Sequence, residues 1–197
     1  MADFVTTAQY KTHEGISSSA DDTRIGNLIT SVSQLIKTYC GNTIIDYYSS
    51  NRTETFNIDW NTHIVQLTES PVNAIVSVEE RTAYSESYQT LSTSDYEYYI
   101  DYESDSIVRT TKNGEPKSWA KGVGAVKITY NAGYSATPED LKLACFDLLN
   151  YYLRDEHKER RTLGGAQVQQ QGTSGIRSSS DFPDHIKRVL DLYRVVI

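Results

Sequence analysis

Cysteine is scarce in this chain of 197 residues: Cys40 and Cys145 are its only two, each among apolar residues at helical spacing. Two are too few for the disulfide framework that staples small secreted domains, so both are expected as buried thiols acting as small hydrophobes. Histidine is equally sparse, and His13, His63, His157 and His185 stand far apart, with no pair at zinc-ligand spacing and no CxxC to join. No metal and no cofactor is therefore expected. No apolar run approaches the ~18 residues that a membrane span requires, and the start, "MADFVTTAQYKTHEGISSSADD", lacks a basic region followed by an apolar one. A soluble, intracellular chain is the expectation, and the sequon Asn51-Arg52-Thr53 is set aside with it.

Catalytic signatures are missing too. The stretch "GVGAVK" at 122–127 lacks the third glycine of a dinucleotide fingerprint and runs into a strand pattern, so it reads as a hairpin glycine pair. No nucleophile elbow sets up a Ser-His-Asp triad. Asp101 and Glu103 share one strand face at i and i+2, a pattern that solvated strands produce more often than glycosidases do. The expectation is no enzyme and no catalytic residue.

What the chain does have is an uneven charge. Its net charge is −7, and the segment 79–105 alone accounts for −7, with Glu79, Glu80, Glu86, Asp95, Glu97, Asp101, Glu103 and Asp105 against Arg81. The following stretch, 106–130, carries Arg109, Lys112, Lys117, Lys121 and Lys127 against Glu115. An acidic balance argues against nucleic-acid binding by counterion release. Six tyrosines, Tyr84, Tyr88, Tyr96, Tyr98, Tyr99 and Tyr102, fall in the acidic block. A base-stacking platform interleaves its aromatics with lysine and arginine; here the neighbours are acids, which points to half-buried sheet residues or a protein contact surface.

The periodicity predicts an α+β fold, a small bundle of three main helices with an antiparallel β-rich insertion between the first and the second. Residues 1–18 show no period and read as a flexible N-terminal arm. A helix is predicted over 20–40 from Ile25, Leu28, Ile29, Val32, Leu35, Ile36 and Tyr39, opened by a Ser19/Asp22 capping box and closed by Gly41. From Thr43 the period falls to two, and the runs "TIIDYYSS", "TETFNID", "HIVQL", "AIVSVEER", "YEYYIDY", "SIVRTT" and "AVKITYN" predict strands. The last two look like a hairpin around Asn113-Gly114. The second helix is capped by Thr137 with Pro138 at its first position. Its polar residues Lys142, Asp147 and Asn150 fill a sector of only about 140°. So apolar a helix is either central to its own fold or shared with a neighbouring subunit, which makes Leu143, Phe146 and Leu153 candidates for inter-subunit packing. The domain plan is an arm at 1–18, a helical core at 19–159 with the β insertion at about 43–131, a mobile Gly/Gln/Ser-rich loop at 160–181, and a C-terminal helix with a docking tail at 182–197.

The order of four pieces resembles the head-tail connector, or adaptor, proteins of tailed bacteriophages. They are "LITSVSQLIKTYCGNTI" (28–44), "IVQLTESPVNAIVSVEE" (64–80), "VKITYNAGYSATPEDLKLACFDLLNYY" (126–152) and "FPDHIKRVLDLYR" (182–194). The strand ending in "YNAGY" before a proline-opened helix is the most specific of them. The resemblance implies a non-enzymatic virion protein, made in the host cytoplasm and placed in the neck. It would form a homo-oligomeric ring, a dodecamer, beneath the portal protein, extend the channel through which DNA passes as cargo, and carry a head-closure (stopper) or tail protein, with no membrane partner. On that reading Tyr193, Arg194, Val195, Val196 and Ile197 form the portal interface, and Glu97, Asp101 and Glu103 are candidates for the channel wall. The competing expectation for those acids is an outer sheet face or a dock for a basic partner. The competing function is a surface- or carbohydrate-binding module that uses the tyrosine-rich sheet.

Overall fold

The computed structural model describes residues 1–154 and 182–195. The elements run α1 (Thr7–Glu14), α2 (Asp22–Cys40), β1 (Arg52–Ile58), β2 (Ile64–Gln66), β3 (Val72–Glu80), β4 (Gln89–Thr90), β5 (Tyr98–Asp101), β6 (Ser106–Arg109), β7 (Gly122–Ala132), α3 (Glu139–Leu153) and α4 (Asp184–Leu192). This is the expected α+β class, with the strands between two long helices. Apolar residues separate into two clusters, one among the helices and one between two antiparallel sheets.

The helical core is built by the predicted stripe. Ile25, Ile29, Val32, Ile36 and Cys40 of α2 are buried and meet Leu141, Ala144, Cys145, Leu148 and Leu149 of α3 and Ile186 and Leu190 of α4. Gly41 ends α2 in the left-handed region at φ 65°, its N–H donating to the Lys37 carbonyl at 3.0 Å. The capping box at Ser19 does not form; the residue at the N-cap is Asp21, and it makes no side-chain cap.

The flexible arm is a correction. Thr6 and Gln9 form a reciprocal capping box that opens α1, and Phe4, Val5 and Tyr10 are buried in the helical core. Polar ties hold the segment down. The Lys37 ammonium, itself buried, donates to the Ala2 carbonyl and to Asp46, both at 2.7 Å, and the Thr137 hydroxyl donates to the Phe4 carbonyl at 2.7 Å. Thr137 therefore does not cap α3, as expected from sequence, but pins the chain start to it.

The strands form a sheet of order β1-β7-β3-β4 and a second of order β2-β6-β5. Val65, Leu67, Ile107 and Trp119 meet Val78, Val126, Ile128 and Tyr130 in the core they share. Two strand expectations fail. "TIIDYYSS" is a chain of turns with Ile44 at φ 67°, not a strand. Strands β6 and β7 lie in different sheets; the turn at Asn113-Gly114 closes only a small bridge between Thr110 and Pro116 before the chain crosses over. The glycines of "GVGAVK" accordingly begin β7 rather than a hairpin.

Polar contacts join the two cores. Glu69 accepts from the Thr43 N–H at 2.9 Å and its hydroxyl at 2.8 Å, and the Glu69 N–H donates to the Tyr130 hydroxyl at 3.1 Å. Tyr130 in turn donates to Glu54 at 2.9 Å, and burial raises its phenol above the usual tyrosine range. Gly133 of the "YNAGY" piece seals the junction: at φ 98° it brings the backbone against Ile44, and a Cβ there would sit 2.3 Å from the Ile44 carbonyl oxygen. Only glycine fits.

Both thiols are free and buried, and burial pushes Cys40 and Cys145 each up to about 12. Since the thiolate is the nucleophile, iodoacetamide at about pH 8 is expected to leave the native chain unmodified and to label both sites once urea unfolds it. Rapid labelling of native protein, read by mass spectrometry, would show that a thiol reaches solvent.

Candidate functional site: surfaces for assembly

The C-terminal segment folds back on its own chain as far as it is described. The Tyr193 hydroxyl donates to Asp140 at 2.7 Å, and its ring meets Tyr134 edge-on at 6.1 Å. Burial first, and then the Asp140 carboxylate, raises this phenol above its ordinary range. Arg194 lies over the Tyr39 ring at 5.7 Å, and the Val195 N–H donates to the Cys40 carbonyl at 2.9 Å. Tyr193 and Val195 are half-buried and Arg194 is exposed. Val196 and Ile197 lie outside the described residues, as does the expected loop at 160–181.

Of the three residues expected between subunits, Phe146 is used internally. His13 stacks on it at 4.5 Å and Tyr10 approaches at 6.1 Å, so α1 covers the apolar face that seemed to need a neighbour. The Tyr10 hydroxyl donates to Asn150 at 2.6 Å, and Asn150 donates to Glu14 at 2.8 Å, fixing α1 along α3. Leu153 is half-buried against the same core. Leu143 alone keeps an outward side chain, 51% exposed, and Leu192 on α4 is 77% exposed.

The candidate channel acids have local work. Glu97 accepts from the Ser92 N–H at 2.8 Å, shaping the turn before β5. Asp101 accepts from the Ser104 hydroxyl at 2.8 Å and the Glu103 N–H at 3.0 Å, and these bonds hold its carboxyl below the usual range. Glu103 projects from the tip of that turn, exposed and without a side-chain partner among the described residues. On the outer face of this sheet, Ile64, Val108 and Tyr99 stand directly across from one another, an apolar row with Ile64 and Tyr99 exposed. Sequence reasoning missed that row because the register of β2 on β6 cannot be read from either strand alone.

One group carries an unusual charge burden. The Arg109 side chain is 5% exposed and donates from Nε and Nη2 to one Glu80 oxygen at 3.2 and 3.1 Å, joining β6 in one sheet to β3 in the other. Its Nη1 donates to the Glu97 carbonyl at 2.6 Å. Among the described residues no group of three or more His, Cys, Asp or Glu is placed to hold a metal, and no helix is long and apolar enough to cross a membrane.

The Arg109–Glu80 pair thus joins the two sheets, and Ile64, Tyr99, Leu143 and Leu192 turn apolar side chains outward. The sequence profile of the head completion protein family matches residues 3–196, and the chain belongs to that family. The expected likeness to head-tail connectors thus holds at the level of the family. Over 74 residues it is 32% identical to the head completion protein of Escherichia phage T5, a stretch covering 37% of this chain and 41% of that protein. The match thus spans about two-fifths of the T5 relative. In fold the chain resembles a subunit from the neck of an empty gene transfer agent particle computed with C6 symmetry, with a TM-score of 0.61 at 16% identity over 98% of this chain and 91% of that one. A subunit from the neck of the native particle, computed with C12 symmetry, gives 0.58 at 16% identity over 97% and 88%.

Proposed function

We propose that the chain forms a ring beneath the portal, prolongs the DNA channel, and carries the head-closure or tail components, working without turnover. The observation that carries this reading is the family match over nearly the whole chain, joined to a fold shared along its length with neck subunits. The C12 symmetry of one such neck supports a copy number of twelve. Assembly takes place in the host cytoplasm. Portal contact is made by the C-terminal end, where Arg194 is exposed beside the half-buried Val195. Contacts between ring neighbours use Leu143, the outward leucine of α3, and the edge of Leu153.

Electron microscopy of the purified chain mixed with its cognate portal tests this. A coaxial ring of density on the tail-facing side of the portal, with twelve-fold symmetry, is the expected result. Bare portals at saturating concentrations of the chain would overturn the placement.

A further inference from the structure

Strand β5 is the outer strand of its sheet. The Thr110 N–H donates to the Glu97 carbonyl at 3.0 Å, and the register continues with Tyr99 opposite Val108 and Asp101 opposite Ser106. In an antiparallel ladder alternate residues turn both peptide groups toward the partner strand. Tyr99 and Asp101 therefore face β6, as does the Glu97 carbonyl, while the Glu97 N–H donates to the Ser92 carbonyl at 3.1 Å; Tyr98 and Ile100 turn N–H and C=O to the free edge, where no group among the described residues bonds them. Edge strands are commonly blunted by lysine, proline, a bulge or a covering element. The run Tyr98-Tyr99-Ile100-Asp101 has neither lysine nor proline, and its register is unbroken.

Two further features mark this edge. Beside it lies a hollow of about 360 Å³ lined chiefly by Tyr96, Tyr98, Tyr99, Val108, Gly114 and Pro116. Acids stand at both ends of the strand, Asp95 and Glu97 before it, Asp101 as its last residue and Glu103 after it, and no cation occurs from 95 to 103, although Glu97 lies 4.0 Å from the buried Arg109. Lys112 and Lys117 belong to the loop whose Gly114 and Pro116 line the hollow.

We propose that β5 receives an extended basic segment of another protein as an added strand. Its main chain pairs with Tyr98 and Ile100, an aliphatic or proline side chain fills the hollow, and a lysine or arginine at each end meets the flanking acids. Charge selects this occupant. A second copy of β5 would set acids against acids, because like charges facing each other across paired strands repel, and a DNA backbone is rejected for the same reason. The proposal goes beyond the neck reading and does not depend on ring formation.

The test uses the full chain, isotope-labelled, with two capped heptapeptides: Lys-Thr-Val-Thr-Val-Thr-Lys and the same sequence with glutamate at both ends. Amide exchange at Tyr98 and Ile100 is expected to slow at least about tenfold with the basic peptide, to stay unchanged with the acidic one, and to recover in about 0.5 M salt. Asp95→Lys with Glu103→Lys, both exposed and without side-chain partners among the described residues, is expected to reverse the preference at an unchanged melting temperature. Unchanged amides with the basic peptide, or equal responses to both peptides, overturn the proposal. Protection that appears without peptide and grows with protein concentration also overturns it, by giving the edge to a second copy. Portal micrographs report on the ring independently, so failure of one reading is distinguishable from failure of the other.

Discussion

Leu148→Asp is expected to unfold the chain or reduce it to a loosely packed state at 25 °C. Leu148 is fully buried at the centre of α3, in the cluster that α2, α3 and α4 build together. Losing the leucine forfeits about 2 kcal/mol of burial, and the new carboxylate has no partner in an apolar core, which adds several kcal/mol whether it ionises or stays protonated. A sum of about 5 kcal/mol or more consumes most of the ~5–15 kcal/mol that holds a typical domain together. Leu143→Asp, five positions earlier on the same helix but half-exposed, is the matched control and should cost no more than about 0.5 kcal/mol. Urea midpoints for the two variants decide the matter. A Leu148→Asp chain that melts like the parent would remove α3 from the centre of the fold.

The contrast between those two leucines shows how far the sequence could be read. Three polar residues within one sector announced that α3 is buried nearly all round, and the stripe on α2 gave its inward face. What covers the remaining face of α3 was not legible, because α1 is only eight residues long and contributes few apolar side chains. Its stability comes from ties to residues more than a hundred positions away, such as Tyr10 to Asn150. A local signal did exist in the Thr6/Gln9 capping box, which the absence of periodicity concealed. The same holds for the sheets. Alternation located most of the strands, yet it assigned β6 and β7 to one hairpin, since a short turn between two alternating runs carries no mark of which sheet each run joins. The acidic block was visible as charge. That Glu97 and Asp101 shape turns while Asp95 and Glu103 stay free required the backbone around them.

Arg109→Met is expected to cost about 3–5 kcal/mol, the range for breaking a buried pair by removing one partner. The guanidinium is nearly inaccessible, and so is most of the Glu80 side chain it holds, at 12% exposed. Without Arg109, Glu80 keeps the Ala120 N–H at 2.5 Å as its remaining donor, and the Glu97 carbonyl loses the bond at 2.6 Å. Replacing both charges changes the outcome, because a well-packed apolar pair avoids the desolvation that the ion pair endures. Arg109→Met combined with Glu80→Leu should therefore be less destabilised than the sum of the single variants, by about 2 kcal/mol in a double-mutant cycle. Singles that each cost under about 1 kcal/mol, or that add without coupling, would show that the pair does not pin the sheets. The consequence reaches the edge strand. Arg109 holds both β3, through Glu80, and the start of β5, through Glu97, so its loss should speed amide exchange at Tyr99, which faces Val108 of β6, before the helical core responds. The geometry of the exposed edge thus depends on a charge buried behind it.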